Sequence, residues 1–278
     1  MEDLQRRIAE PHEKNNISVN VRSKVGMSLH RQANSPLCII RKKIEGYCNA
    51  VAAERGEPPF TIVDNLSPIV TTKQCFDELR VPEDHVSRSS SDTYYLNDTE
   101  LLRAHTSAHQ CTLMASGETA FLCSGDVYRR DEVDSSHYPV FHQMEGVRLY
   151  PDAAFPVGMP VAERKAVIAQ DLKDILSGLA GHLFGDVEMR WAEDYFPFTE
   201  PSFELEVKFN NKWLEVLGCG VIHDEVIAHA GLPEGQLGYA FGLGLERLAM
   251  VLFGIPDIRL FWSQDPRYLQ QFEAGEIV

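Results

Sequence analysis

FLCSGDVYRRDEVDSSHYPVFHQMEGVRL, residues Phe121 to Leu149, decides the fold. Two apolar runs, Phe121 to Arg130 and Val140 to Leu149, flank a polar connection rich in Asp and Ser. They read as two strands joined by a long loop, the first interrupted at Gly125–Asp126. Strand side chains alternate between faces, so Phe141, Gln143 and Glu145 share one surface. Arg129 and Arg130 close the first strand and point opposite ways, so only one can reach that surface. An Arg near a Gln and a Glu suits a ligand carrying a carboxylate or phosphate beside an amine. The Phe suits a planar base. The plainer alternative is a solvated hairpin with a cross-strand salt bridge.

Composition narrows the class. The 278 residues suit one large domain or two small ones, with 44% hydrophobic and 24% charged residues as in ordinary globular chains. No apolar run approaches the roughly 20 residues that span a bilayer, so no membrane partner is expected. MEDLQRRIAEPHEKNN mixes acids with bases and has no apolar centre, unlike a secretory signal or an Arg-rich transit peptide. Cys38, Cys48, Cys75, Cys111, Cys123 and Cys219 form no CxxC pair and read as buried or free thiols in a reducing compartment. A net charge of −15 is awkward for a nucleic-acid binder, although a few local arginines can hold a small polyanion.

Outward from the hairpin, residues 1–15 read as a poorly ordered segment and 16–278 as one domain. Ser35–Pro36 starts a helix that Gly56 ends, with Leu37, Ile40, Ile44, Tyr47 and Val51 at helical spacing. Phe60 to Val63 is a short strand. NLSPIVTTKQCFDEL turns at Ser67–Pro68, and VPEDHVSRSSSDTYYLN reads as a loop. Leu101 to Ala104 is a strand, after which Ser107 is expected to cap a helix from Ala108 to Ser116, closed by Gly117. His105 and His109 lie four apart, so zinc is a rival reading. The Glu of HExxH is missing, and the cap would put His105 before the helix. The other reading puts Ser107 and Gln110 at a helix N-terminus beside a ligand's polar head.

After the hairpin, Pro160 to Phe184 is a scaffold helix with Ile168, Leu172, Ile175, Leu179 and Leu183 in one stripe. VEMRWAEDY, FELEVKF and WLEVLGCG are strands, with a tight turn at Asn210–Asn211. Phe196 and Phe198 flank Pro197; core packing is their ordinary role. Glu215 stands in an otherwise apolar run and so is expected to be paired or to bind a cation, magnesium or substrate. YAFGLGLERLAMVLFG is expected to be a buried helix entered through glycines, in which Arg247 needs an anion, a phosphate being the sharper choice.

VYRRDEVDSSHYPVFHQMEG resembles motif 2 of the class II aminoacyl-tRNA synthetases, and GLGLER resembles motif 3. With HTSAHQ, YFPFTEPS and WLEVLGCG, the ordered set is similar to the phenylalanyl-tRNA synthetase family, in its single-chain mitochondrial or plastid form. The similarity runs from about Asn16 to Phe272. It implies an α+β fold, an antiparallel sheet flanked by helices. It implies a ligase that uses ATP with Mg2+ to form phenylalanyl-adenylate, then esterifies the terminal ribose of tRNA(Phe).

The resemblance also implies roles. Arg129 would hold the α-phosphate and carboxylate, Phe141 would stack on adenine and Arg247 would grip the γ-phosphate. Gln143 and Glu145, with Met144 between them, would bind the amino group. His105, Ser107, Ala108, His109 and Gln110 would line the same pocket. Ser136, His137 and Tyr138 would approach ATP or the acceptor end. Phe196 and Phe198 would meet the phenyl ring. Ala240 and Phe241 would form the pocket floor, and Glu215 would hold Mg2+. A monomer working in an organelle is implied as well. Family members continue past FWSQDPRYLQQF into an anticodon-binding domain, whereas the sequence stops at Val278; a truncated protein or a fragment, charging tRNA weakly, is expected. Two alternatives stay open: an amino-acid ligase with a non-tRNA acceptor, and a non-catalytic binding protein.

Overall fold

The computed structural model describes residues 2–209, 211–263 and 265–272. Nine strands appear among them: β1 (Thr61–Val63), β2 (Ile69–Thr71), β3 (Glu100–Leu102), β4 (Ala120–Tyr128), β5 (Val140–Tyr150), β6 (Met189–Phe196), β7 (Thr199–Phe209), β8 (Lys212–Ile222) and β9 (Leu237–Gly244). Seven form one sheet in the order β1-β4-β5-β9-β8-β7-β6, and β2 pairs with β3 apart from it. Only the β1–β4 pairing is parallel within the large sheet. The α+β expectation is met.

Register explains the two faces. Gln143, Glu145 and Val147 of β5 stand opposite Gly244, Gly242 and Ala240 of β9. On the reverse face Leu122, Met144, Phe241, Leu243, Leu217 and Leu205 join the main core. The helices Pro36–Glu54, Val161–Phe184 and Leu245–Leu252 cover that face. Ile168, Leu172, Ile175 and Leu179 supply the stripe predicted for the long helix, each residue worth about 1.5–3 kcal/mol of burial. Ser35 caps the first of these helices by accepting from the Leu37 N–H, with Pro36 at its first position.

Several expectations change. Residues 2–9, expected to lack order, form a helix because Ile8 is fully buried in a small core with Tyr94 and Tyr128. YAFGLG is not helical. It is strand β9, and the helix begins only at Leu245. The Asn210–Asn211 turn falls partly on Asn210, outside the described residues; Asn211 itself adopts φ 62°. All six cysteines are free and buried, and burial pushes the Cys75, Cys111 and Cys123 thiols up to about 12.

Gly125 does not interrupt β4, which runs unbroken to Tyr128. It makes room for a charged side chain. A Cβ there would strike the Arg103 guanidinium, 2.7 Å from Cζ. Arg103 is 1% exposed and lies beyond the short β1, where the edge of β4 is open. It donates to the Asp126 carbonyl and carboxylate, both at 2.7 Å. Its Nη1 also faces the carbonyls of Leu66 and Ser67. Gly125→Ala is expected to destabilise the fold by about 2–4 kcal/mol, because it displaces a buried ion pair. Urea denaturation measures this, and a loss under 0.5 kcal/mol, on the scale of an ordinary surface change, would remove Arg103 from that place.

Candidate active site

Strand alternation builds the site. Arg129 follows the last residue of β4, and its Cζ lies 5.2 Å from the Phe141 ring centroid. Its Nε donates to the Ala104 carbonyl at 2.9 Å. Among the described residues no carboxylate lies within 4 Å of it, and burial lowers its pKa. Arg130 points away, donating to the Ser90 carbonyl beneath the Tyr94 ring. Of the two arginines, one thus reaches the cavity, as alternation requires.

Arg129, Phe141 and Gln143 line one side of a cavity of about 740 Å³; Glu215, Gly242, Gly244 and Arg247 line the other. Side chains at Gly242 and Gly244 would project into open space, so these glycines keep the floor clear. Arg247 is half-exposed, and its Nη1 lies 3.3 Å from the Glu215 carboxylate. The expected burial of Arg247 is therefore corrected, whereas Glu215, expected to be paired or to bind a cation, is paired with it at half exposure. Because the helix starts at Leu245, it is Glu246 that turns inward, 2% exposed.

Glu246 receives the backbone N–H of His142 at 2.8 Å and its Nδ1 at 2.7 Å. Sequence reading missed this pair. The signal was available, since His142 lies on the opposite strand face from Phe141 and must be buried. It also missed Arg103, whose Nη1 donates to His109 Nε2 at 2.8 Å. An Arg only donates, so that nitrogen is unprotonated. Burial, then the Arg103 charge, lowers the His109 pKa to about 3.

The polar end of the site lies on a 3₁₀ turn, Thr106–His109, not on a helix capped by Ser107. The α-helix begins at Gln110 and ends at Ala115, with Gly117 at φ 96°. His105 is partly buried, with Nε2 3.7 Å from Cys75 Sγ. His105 and His109 thus engage different partners. Gln143 Oε1 accepts from the Thr106 N–H at 3.4 Å. Both amide atoms of Gln110 and one oxygen of Glu145 are buried without a protein partner among the described residues. Burial raises the Glu145 pKa to about 8, against a smaller lowering by the Ser107 hydroxyl.

At the apolar end Phe196 and Phe198 stack with centroids 5.8 Å apart. The Phe196 ring lies over Gly218, where a Cβ would be 2.7 Å from it. Phe198 packs in the same cluster as Ala240 and Ala108. Phe241 and Met144 are not in the pocket. Both point to the reverse face, because they are one residue out of phase with Ala240 and Glu145, and Phe241 fills the space left by Gly146. In the loop, Ser136 and His137 both donate backbone N–H groups to Asp134 at 2.7 Å. Tyr138 lies beside Trp262, centroids 6.0 Å apart.

Among the described residues no group of three His, Cys, Asp or Glu side chains forms a metal cage. Glu215 and Glu204 offer something looser. Burial, the Asp194 hydrogen bond and the Glu215 charge raise the Glu204 pKa to about 7, so this edge of the site favours a cation. One or two carboxylates completed by phosphate oxygens and water suit Mg2+.

The seven-stranded sheet with an open, arginine-flanked polar cavity on its face is the architecture of a class II synthetase core. The chain belongs to the family described as tRNA synthetases class II core domain (F), matched over residues 57–272. It is 53% identical to phenylalanine–tRNA ligase, chloroplastic/mitochondrial, of Arabidopsis thaliana, over 95% of this chain and 60% of that one. It is 48% identical to the mitochondrial phenylalanine–tRNA ligase of Rattus norvegicus, over 94% and 60%. For the mitochondrial phenylalanine–tRNA ligase of Saccharomyces cerevisiae the identity is 36%, over 94% and 70%. The chain thus spans about three fifths of the length of the first two relatives. In fold it resembles pyrrolysyl-tRNA synthetase from Desulfitobacterium hafniense, with a TM-score of 0.58 at 16% identity, over 95% of this chain and 94% of that one.

The raised Glu145 pKa fixes a pH dependence. A carboxyl whose pKa rises from 4.5 to about 8 on folding contributes stability below pH 4.5 that is lost as pH climbs through 8. Glu145→Gln is therefore expected to gain on the parent between pH 5 and 8, by up to about 1.4 kcal/mol per pH unit. Denaturation at several pH values measures this; a pH-independent difference would mean that Glu145 is ionised throughout.

Proposed function

We propose that the chain is the catalytic core of a phenylalanine–tRNA ligase. It joins phenylalanine to ATP as phenylalanyl-adenylate and transfers the acyl group to the 3′-terminal ribose of tRNA(Phe). What supports this is the order of groups along one face of the sheet: Arg129 with Phe141 and Gln143 in the cavity, then Glu145 and the aromatic corner beyond its lining. That order matches base, phosphate, amine and phenyl ring. The names of the relatives support a mitochondrial or plastid enzyme. A monomer follows from the family resemblance.

In this reading adenine lies on Phe141 and the α-phosphate against Arg129. That guanidinium already faces the cavity without a carboxylate, so it stabilises the charge that develops as the substrate carboxylate attacks phosphorus. Arg247 leaves Glu215 and takes the γ-phosphate. Glu145, Gln143 and Ser107 bind the ammonium, with Gln110 and His105 at the same end. Phe196, Phe198 and Ala240 hold the ring. Ser136, His137 and Tyr138 stand where the acceptor end would approach. Glu215 and Glu204 would hold an Mg2+ ion that arrives with ATP, and the ion would supply neutralisation of phosphate charge. No side chain acts as nucleophile; alignment of the two substrates supplies the rate.

Amino-acid-dependent ATP–pyrophosphate exchange tests this. Phenylalanine is expected to support exchange about ten- to a hundredfold better than tyrosine, because a para-hydroxyl would be buried without a partner. Arg129→Ala is expected to lower the rate by at least about a hundredfold, roughly 3 kcal/mol. Equal activation of tyrosine, or normal exchange in Arg129→Ala, would sink the assignment.

A further inference from the structure

We infer that Arg80 is a positioning residue that sets selectivity for the amino-acid side chain, from outside the cavity; this rests on the proposed phenylalanine site. The aromatic corner is weakly held by its own sheet. The β6–β7 ladder shifts register between Asp194 and Phe196, and the β7–β8 ladder shifts between Thr199 and Ser202. The residue between the two rings is Pro197, which has no N–H, so its carbonyl is the one backbone hydrogen-bonding group that this residue offers. Arg80 grips it: Nη1 donates to the Pro197 carbonyl at 2.6 Å. A second tie follows one residue later, where His223 N–H donates to the Phe198 carbonyl at 2.9 Å.

Arg80 is itself braced. It closes a 3₁₀ turn, Asp77–Leu79, at φ 60°, and its backbone N–H donates to the Asp77 carbonyl at 3.0 Å. Its Nε lies 3.2 Å from Glu225 on the helix Asp224–His229. The same segment reaches the other end of the pocket, where Cys75 Sγ meets His105 Nε2. One short segment, residues 72–80, therefore touches both the turn that takes the ammonium and the corner that takes the ring. It fixes the distance between them, and that distance is what a longer side chain would violate. Phosphate-binding groups lie elsewhere, so Arg80 should govern the amino acid and not ATP.

The test is pyrophosphate exchange with KM measured separately for phenylalanine, tyrosine and ATP. Arg80→Asn removes the guanidinium and keeps a residue that tolerates the left-handed backbone. Its KM for phenylalanine is expected to rise about tenfold, the loss of one hydrogen bond from a charged donor, with KM for ATP within twofold. Preference for phenylalanine over tyrosine should fall, and Arg80→Lys should recover part of both. Glu225→Gln, at an exposed position, should fold normally and raise the phenylalanine KM about threefold, since it loosens the brace but keeps the grip. Unchanged phenylalanine KM and selectivity in Arg80→Asn, or in Glu225→Gln should Arg80→Asn not fold, would overturn the inference. So would a parallel rise in both substrates' KM with a lowered Tm. Absence of phenylalanine-dependent exchange in the parent would instead defeat the underlying site, which keeps the two failures distinct.

Discussion

The carboxylate of Glu246 accepts both N–H groups of His142, one from the backbone and one from the ring, in a place almost closed to water. A buried carboxylate is costly unless its oxygens are satisfied, so this contact tolerates little displacement. It welds strand β5 to the helix Leu245–Leu252 at one register. The neighbours of the two partners, Phe141 and Arg247, are thereby turned outward into the cavity from opposite walls. Carboxylates only accept, so Nδ1 of His142 carries a proton. Its Nε2 has no protein partner among the described residues and lies beside the rings of His30 and Trp262. Slippage of β5 by one residue would exchange Gln143 and Glu145 for His142 and Met144 and abolish the site.

A partly buried cation lining the cavity and a buried carboxyl beside it on the same sheet face do not satisfy each other. Among the described residues no carboxylate lies within 4 Å of Arg129, and one oxygen of Glu145 has no protein partner. Each destabilises the free protein, and burial shifts each toward its neutral form. A zwitterion relieves both, because its carboxylate meets the cation and its ammonium meets the carboxyl. The stacked rings of Phe196 and Phe198 then select what the zwitterion carries. Preorganised groups of this kind are worth more than the same groups in water, since they need no rearrangement when the ligand arrives.

Much of the fold was legible. The period-two pattern of Val140–Leu149 and the Ser–Pro cap before Leu37 dictate their elements almost alone. The order of Phe141, Gln143 and Glu145 followed from alternation, as did the opposite facing of Arg129 and Arg130, while the choice of Arg129 came from the family resemblance. Failures came where glycines carry two meanings. YAFGLG looked like a helix entrance because its apolar residues join those of LERLAMVL in one run, yet it is a strand whose glycines face a cavity. That misreading moved the helix start and so exchanged the burial of Glu246 and Arg247. Phe241 was placed at the pocket by the family resemblance alone, and strand alternation turns it to the reverse face. Gly125 looked like a break because the sequence does not show that Arg103, distant along the chain, fills its space. Arg80 left no local trace, since its effect depends on a carbonyl more than a hundred residues away.

The most direct test is a crystal structure of the chain with a non-hydrolysable phenylalanyl-adenylate analogue. The purine should lie on Phe141 within reach of Arg129, with the ammonium about 3 Å from Glu145 and Gln143. The phenyl ring should rest against Phe196 and Phe198. A ligand bound in reverse, or one that leaves Glu145 and Gln110 unpartnered, would contradict the placement of the site.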